Sequence, residues 1–236
     1  MYLNCDLGEG CGDDADLMPL IDQASVACGG HAGDAESMRA TVALAARHAV
    51  MIGAHPSYPD PAGFGRRSMQ MSQEALRATL LEQLRGLRDI AQAAGQSVRY
   101  CKPHGALYHD MLDCEPVAEV LADIAARQAL ALVVPARSPD SAIAIAARRA
   151  DVLLWTEAFA DRGYGDDGRL LPRSEPGALL SAESAAAQVR ALLDGWLVTA
   201  SGRRIAMQAD TLCVHGDTPQ AIRIAQAVRQ ALAASA

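Results

Sequence analysis

The feature that most constrains the fold is a regular alternation between short apolar runs and longer, alanine- and arginine-rich stretches of helical period. The apolar runs predict strands over residues 2–6, 24–28, 50–55, 97–103, 130–135, 152–159 and 211–217. The stretches between them predict helices near 34–48, 72–94, 115–128, 139–149, 183–198 and 219–234. Because strands that alternate with helices pair in parallel through crossover connections, we predict an α/β protein in which residues 1–236 form a single domain.

The predicted strands share a second property, since six of the seven run into an ionisable side chain. These side chains are, in chain order, Asp6, His31, His55, Lys102 with His104, Glu157, and His215 with Asp217. The strand ends of a β/α barrel all meet on one face, which holds the active site, whereas an open sheet spreads them along an edge. The pattern therefore favours a closed β/α barrel, and the count of seven strands predicts an irregular one.

Composition excludes several classes of partner. The net charge is −7, and the longest basic run has two residues, which argues against nucleic acid and against an acidic membrane surface. No apolar run approaches the ~20 residues that cross a bilayer, and the N-terminus has no signal-peptide pattern. The six cysteines form no CxxC pair, so we interpret them as reduced residues. These features predict a cytoplasmic protein, and they leave open whether it forms a homo-oligomer.

Lys102 is the only lysine in the chain, because every other residue of the 21 counted as Lys or Arg is arginine. A compact amine whose pKa can shift is a property that a guanidinium cannot reproduce. Lys102 and His104 lie two residues apart around Pro103, so on an extended segment they face the same side. Lys102 would stabilise developing negative charge and His104 would act as acid or base, or the two would form a structural salt bridge and a cap.

Two long segments, 56–72 and 160–181, follow strands, and loops of this length are typical of lids and binding loops. Arg66 and Arg67 in the first segment would clamp a carboxylate or phosphate, or would lie in solvent as a pair. Asp161 and Arg162 in the second are candidates for supporting or lid charges.

Six longer motifs resemble the LamB/YcsF family in order from residue 4 to about residue 221: NCDLGEG, ACGGHAGD, GAHPSYPDPAGFGRR, KPHGALY, EAFADRGYGDDGRLLPRS and CVHGDTPQA. The resemblance implies an irregular β/α barrel similar to glycoside hydrolases and polysaccharide deacetylases. It also implies action with B and C subunits in the ATP-dependent opening of 5-oxo-L-proline to L-glutamate. The chain departs from the family pattern at Gly30, where a larger residue is usual, and at Ser57, where glycine is usual.

The ionisable residues of these motifs are the candidates for this chemistry. Expected catalytic residues are Asp6, Lys102, His104, His215 and Asp217, and expected substrate-binding residues are Glu9, His31, His55, Arg66, Arg67 and Glu157. Asp6, His31 and His55 would form a carboxylate and two-imidazole ligand set like the metal site of the deacetylases. Substrate hydrogen bonding by both histidines is the alternative, and Asp217 would either orient His215, hold a substrate amine or cap a helix.

The expected cofactor is ATP, together with its Mg²⁺. A Walker A loop needs lysine followed by Ser or Thr, but Lys102 is followed by Pro103, and no GxGxxG follows a strand. The nucleotide must therefore bind through other contacts or on a partner subunit. Two alternative functions remain at this point, which are a stand-alone metal-dependent carbohydrate deacetylase and a non-catalytic subunit that binds a small molecule.

Overall fold

The computed structural model describes residues 1–11, 14–136, 139–218 and 220–234. Its strands are β1 (Tyr2–Leu7), β2 (Gln23–Ala27), β3 (Met51–His55), β4 (Val98–Cys101), β5 (Ala131–Pro135), β6 (Leu154–Phe159), β7 (Trp196–Val198), β8 (Arg204–Ala206) and β9 (Thr211–His215). Its α-helices are α1 (Asp14–Leu17), α2 (Ala35–His48), α3 (Gln73–Ala93), α4 (Gly105–Asp113), α5 (Glu115–Gln128), α6 (Ala142–Ala150), α7 (Ala182–Leu193) and α8 (Ala221–Ala233).

Seven parallel strands close into a barrel in the order β1-β2-β3-β4-β5-β6-β9 within the described ranges. The barrel closes because β9 pairs with β6 on one side and with β1 on the other. The register of the second pairing sets Asp6 directly opposite His215. The predicted seven-stranded β/α barrel is therefore confirmed, and its closure brings the first and last strand ends to the same level.

The helices cover the outside of the barrel and bury their apolar faces on the strands. Four of them begin at a side-chain cap that satisfies backbone N–H groups: Asp34 before α2, Ser72 before α3, Ser141 before α6 and Ser181 before α7. The predicted start of the last helix at Pro219 lies outside the described residues. In the parts of the chain that the structure describes, no helix is both long and apolar enough to cross a membrane.

The predicted helix over residues 183–198 is confirmed as far as Leu193 but was wrong beyond it. The helix α7 ends at Leu193, Gly195 follows with a φ of 83°, and the chain continues as the β7–β8 antiparallel hairpin. A glycine in the left-handed region is a common helix terminator, and the residues after it, Trp196 to Val198, are good strand formers. This hairpin lies outside the barrel order, between β6 and β9 in sequence.

The barrel interior is polar and hydrogen-bonded. Asn4 donates through Nδ2 to Glu157 Oε1 at 2.9 Å and to Thr211 Oγ1 at 2.8 Å. Thr211 Oγ1 in turn donates to Gln23 Oε1 at 2.8 Å, and all four residues are buried. Because buried polar groups are costly unless they are paired, this network fixes the strand register from inside the barrel and supports the side chains at its mouth.

Candidate functional site

A cavity of about 330 Å³ opens at the carboxyl ends of the barrel strands. Its lining includes Asp6, Glu9, His55, Lys102, His104 and His215, together with Phe159, Arg66, Arg162, Arg173 and Asp217. Most of the ionisable strand ends therefore gather around one concave opening, which is the arrangement expected of a β/α-barrel site. The predicted substrate-binding residues His31 and Glu157 are buried and do not line it.

Lys102 lies at the base of this cavity and is only 2% exposed. Its ammonium donates to Asp6 Oδ1 at 2.9 Å, to Asn4 Oδ1 at 3.2 Å and to Cys213 Sγ at 3.1 Å, and Glu157 Oε1 lies 3.0 Å away. Burial disfavours the charged amine, but Asp6 and the other neighbours outweigh it and hold the pKa of Lys102 well above its ordinary value. Lys102 is therefore a fixed cation that faces two carboxylates.

The two carboxylates have different further partners. Burial raises the pKa of Asp6, yet His55 and Lys102 outweigh it and hold the pKa well below its usual range. Glu157 accepts a hydrogen bond from Tyr108 Oη at 2.9 Å. Burial also raises the pKa of the Cys213 thiol well above its ordinary value, so Cys213 faces the amine as a neutral group. The cluster thus contains two carboxylates and one ammonium.

A second cluster consists of Glu9, His31, His55 and His104. The atom Glu9 Oε1 lies 3.1 Å from His31 Nε2, 3.4 Å from His104 Nδ1 and 3.8 Å from His55 Nε2. The rings of His31 and His104 stack at a centroid distance of 3.6 Å. One ligand atom from each of the four residues lies within 4.8 Å of the others, so the four donors can share one cation.

The histidine orientations in this cluster follow from backbone contacts. His55 Nδ1 lies 2.7 Å from the Lys102 carbonyl, and His104 Nε2 lies 3.0 Å from the Phe64 carbonyl. Burial lowers the pKa of His104 to about 2, assisted by His55, whereas for His55 itself burial is outweighed by Asp6, which raises the pKa. Gly105 makes this packing feasible because its φ is 58° and a Cβ there would collide with the Gly65 carbonyl.

His215 belongs to a third group with Asp161. Its Nδ1 lies 2.9 Å from Asp161 Oδ2, and its backbone N–H donates to the same oxygen at 2.9 Å. Burial raises the pKa of Asp161, but His215 outweighs it and lowers the pKa below its usual value. A carboxylate accepts only, so Nδ1 carries the hydrogen and Nε2 carries the lone pair in neutral His215. The imidazole also stacks on Phe159 at a centroid distance of 5.4 Å.

Arginines form the rim of the cavity. Asp217 Oδ2 accepts from Arg66 at 3.0 Å and from Arg173 at 2.9 Å, which ties the two long loops to the end of β9. Asp217 therefore does not orient His215, which is the role that Asp161 takes. Arg162 is buried and donates to the carbonyls of Ala178 and Leu171, so it holds the second loop together.

Two other predictions need correction. Arg67 does not reach the cavity, because it pairs with Asp60 and its side chain is 67% exposed. The carboxylate that joins His31 and His55 most directly is Glu9, whereas Asp6 is held by Lys102 and lies 3.4 Å from His55 alone. The space beside Gly30 is filled by Gln83 and Ser57, each of which a Cβ at Gly30 would meet at 2.5 Å.

Sequence reasoning missed three contributors to the site: Arg173, Tyr108 and Cys213. Arg173 gave no local signal, because an arginine in a long polar loop is indistinguishable from a solvated one. Cys213 carried a usable signal, since it alternates with Thr211 and His215 on β9 and therefore faces the barrel interior with them.

The fold and the site together define a β/α-barrel protein with a buried, ionisable site at the barrel mouth. The chain belongs to the LamB/YcsF family, whose sequence pattern matches residues 1–236. It is 44% identical over 239 residues to the 5-oxoprolinase A subunit of Vibrio cholerae, covering 98% of this chain and 97% of that protein. A 5-oxoprolinase A subunit of Pseudomonas aeruginosa is 43% identical over 246 residues, with 98% and 96% covered. The crystal structure of a lactam utilization protein from Thermus thermophilus superposes with a TM-score of 0.90 at 38% identity, covering 100% of this chain and 96% of that one.

Proposed function

We propose that this chain is the A subunit of an ATP-dependent 5-oxoprolinase, a hydrolase that opens 5-oxo-L-proline to L-glutamate while ATP is converted to ADP and phosphate. The names of the relatives at 43–44% identity support a role in 5-oxoprolinase. Because those relatives are named as one subunit of that enzyme, they also support a complex of several subunits, and we propose B and C subunits as the partners.

One observation carries the proposal: a buried ammonium and an Asp-oriented imidazole line the same cavity. Lys102 and His215 both line it, and Asp161 holds His215 in a single tautomer. A lactam in water is a poor electrophile, so its opening needs a positive group near the developing negative charge and a base for water. The cavity is also of a size that suits a small molecule.

The proposed chemistry starts with transfer of the ATP γ-phosphoryl group to the lactam oxygen, with loss of ADP. Water then adds to the carbon that bears the phosphorylated oxygen, and the C–N bond breaks with its electron pair passing to nitrogen, which takes up a proton. A second water hydrolyses the resulting acyl phosphate to L-glutamate and phosphate. This order turns an unreactive amide into an activated one before water attacks.

Within this scheme, His215 is a better base than His104. The His215 lone-pair nitrogen is on the ring edge away from Asp161, whereas both ring nitrogens of His104 are engaged, one with Phe64 and one with His55. Lys102 would stabilise the oxygen that gains negative charge, and Arg66 and Arg173 at the rim would bind the substrate carboxylate or a phosphate.

ATP binding is the part of the proposal that reaches beyond this chain. No Walker A sequence is present, so we place the nucleotide, with Mg²⁺, at a site that is shared with or carried by a partner subunit. The arginine rim would then face the phosphate groups.

The test is to express the chain with its B and C partners and to follow ADP release that depends on 5-oxoproline. We expect Lys102→Met and His215→Asn each to lower kcat by about 100-fold or more, the range for loss of a group that stabilises the transition state. Arg99→Met is the matched control, because Arg99 lies on β4 shortly before Lys102 but is exposed. Circular dichroism checks that each variant is folded.

Two outcomes would contradict this reading. Deacetylation of N-acetyl sugars by this chain alone would favour the metal-dependent deacetylase. If Lys102→Arg and His104→Ala weaken 5-oxoproline binding in proportion to the loss of turnover, the chain is a binding subunit, because a catalytic residue affects turnover with binding largely kept.

A further inference from the structure

We propose that Glu9, His31, His55 and His104 bind one divalent transition-metal ion of the zinc class at the barrel mouth. The inference does not depend on the proposed 5-oxoprolinase activity, because it concerns the donor atoms alone. It also differs from the Mg²⁺ that accompanies ATP, since Mg²⁺ prefers oxygen ligands and keeps several waters.

Two rings of this cluster, those of His55 and His104, are in a hydrogen-bond conflict. His55 Nδ1 and His104 Nε2 each face a backbone carbonyl, and a carbonyl accepts, so each of these nitrogens carries the hydrogen. In both neutral rings the other nitrogen then carries a lone pair. These two nitrogens, His55 Nε2 and His104 Nδ1, lie 2.9 Å apart, and Asp6 Oδ2 lies 3.4 Å from the first of them. Acceptors therefore converge at this point, and either a second proton on His55 or a metal ion shared by the two rings is needed to join them.

The surroundings of those two ring nitrogens also fit a metal site. Metal-binding histidines typically donate their remote ring N–H to a carbonyl or carboxylate, which fixes the tautomer that the metal needs. His55 and His104 both show this arrangement, with the carbonyls of Lys102 and Phe64 as the acceptors. Backbone carbonyls outside the cluster therefore hold both rings in the orientation of metal ligands.

Glu9 and His31 complete the set of donors. Glu9 Oε1 is within 3.8 Å of a nitrogen of each imidazole and supplies the negative charge that a divalent cation requires. The buried Nδ1 of His31 has no hydrogen-bond partner among the described residues, so protein contacts alone do not satisfy this nitrogen. Three imidazoles and one carboxylate are a donor set that suits zinc, copper, iron or nickel better than magnesium or calcium.

The probe is Zn²⁺, added to the full chain after treatment with a chelator. We expect isothermal titration to give one ion per chain and metal analysis of the untreated protein to find a transition metal at up to that ratio. His31→Ala and Glu9→Gln should each weaken binding by more than about 100-fold, because even a supporting residue of a metal site is worth 10- to 100-fold. His48→Ala is the matched control, since His48 is exposed and outside the cluster.

A second readout is the visible spectrum of the Co²⁺-loaded chain, which reports ligand type without any activity measurement. Nitrogen and oxygen ligation should give d–d bands without a thiolate charge-transfer band. A thiolate band would instead assign the ion to the neighbouring group Asp6, Cys213 and His215 and overturn the proposal. It is equally refuted if Zn²⁺ does not bind, or if His48→Ala weakens binding as much as His31→Ala does. Glu9→Gln keeps the side-chain shape, so it remains informative if His31→Ala does not fold.

Discussion

Removing the charge of Lys102 is the change whose effect the structure specifies best. In Lys102→Met the apolar stem is kept, but Asp6 and Glu157 lose the cation that lies 2.9 and 3.0 Å from them. Breaking a buried ion pair from one side costs about 3–5 kcal/mol, because the remaining charge stays buried without compensation. We therefore expect the free energy of unfolding to fall by roughly 3–5 kcal/mol, a large part of a typical domain's stability.

The assay is urea unfolding followed by tryptophan fluorescence. Trp155 on β6 is a suitable reporter because its ring centroid lies 5.6 Å from that of Tyr100 on β4, so the fluorescence depends on packing across β5. The control variant Arg99→Met removes a positive charge from an exposed position, so it should change stability by less than about 0.5 kcal/mol. The difference in unfolding free energy between the two variants separates the effect of removing a buried charge from the effect of changing the net charge.

A double-mutant cycle supplies the refutation. If Lys102 stabilises the fold by neutralising Asp6, then adding Asp6→Asn to Lys102→Met should recover about 1 kcal/mol or more, since contacting residues couple by about 0.5–3 kcal/mol. A loss below about 1 kcal/mol for Lys102→Met, or strict additivity in the double variant, would show that the amine and the carboxylate are not energetically coupled. Lys102 would then not stabilise the fold by neutralising Asp6.

Further predictions concern the other parts of the site and the core. Asp161→Asn should lower kcat for ADP release by roughly 10²–10⁴-fold, because His215 loses the carboxylate that fixes its tautomer; near-normal kcat would contradict this. Because the pKa of Asp161 is lowered in the folded protein, its ionisation stabilises the fold at pH values above the unfolded-state pKa. This stability is lost as pH falls through the folded-state pKa, so Asp161→Asn should flatten the acid side of the curve of unfolding free energy against pH, measured in urea. Arg173→Ala should raise KM for 5-oxoproline about 10- to 100-fold by loss of a charge-assisted hydrogen bond. Arg67→Ala is the control and should leave KM unchanged, because Arg67 lies away from the cavity. Equal effects of the two substitutions on KM would reject a substrate-binding role for the arginine rim. Leu212→Ala, at a fully buried barrel position, should cost about 2–5 kcal/mol in urea unfolding, and a loss under about 1 kcal/mol would indicate that the site collapses around the gap.

The barrel was predictable because parallel strands and crossover helices leave separate periodicities in the sequence. The polar residue at each strand end, such as Asp6 or His55, also indicated where the site lies, because closure of a barrel brings those ends together. The error at residues 183–198 arose because alanine-rich helical propensity extended the helix past Gly195, although that glycine was the local signal for its end.

The pairing inside the site was not predictable in the same way. The strand register decides which carboxylate contacts Lys102 across the barrel interior. Residue spacing in the sequence does not show which side chains become neighbours there. Asp6 therefore pairs with Lys102 and lies near His55 alone, whereas Glu9 is the carboxylate that contacts His31. Long-range contacts such as Arg173 with Asp217 depend on loop paths, which carry no periodicity at all.

The burial of the single lysine has a practical consequence for measuring how the barrel opens. Apart from the terminal amine, Lys102 is the only primary amine in the chain, and it is almost fully enclosed. An amine-selective acylating reagent therefore reaches it only when the mouth or the whole domain transiently opens. The rate of its acylation, read by peptide mass spectrometry against the terminal amine as an internal clock, would report that opening in the native protein without any engineered label.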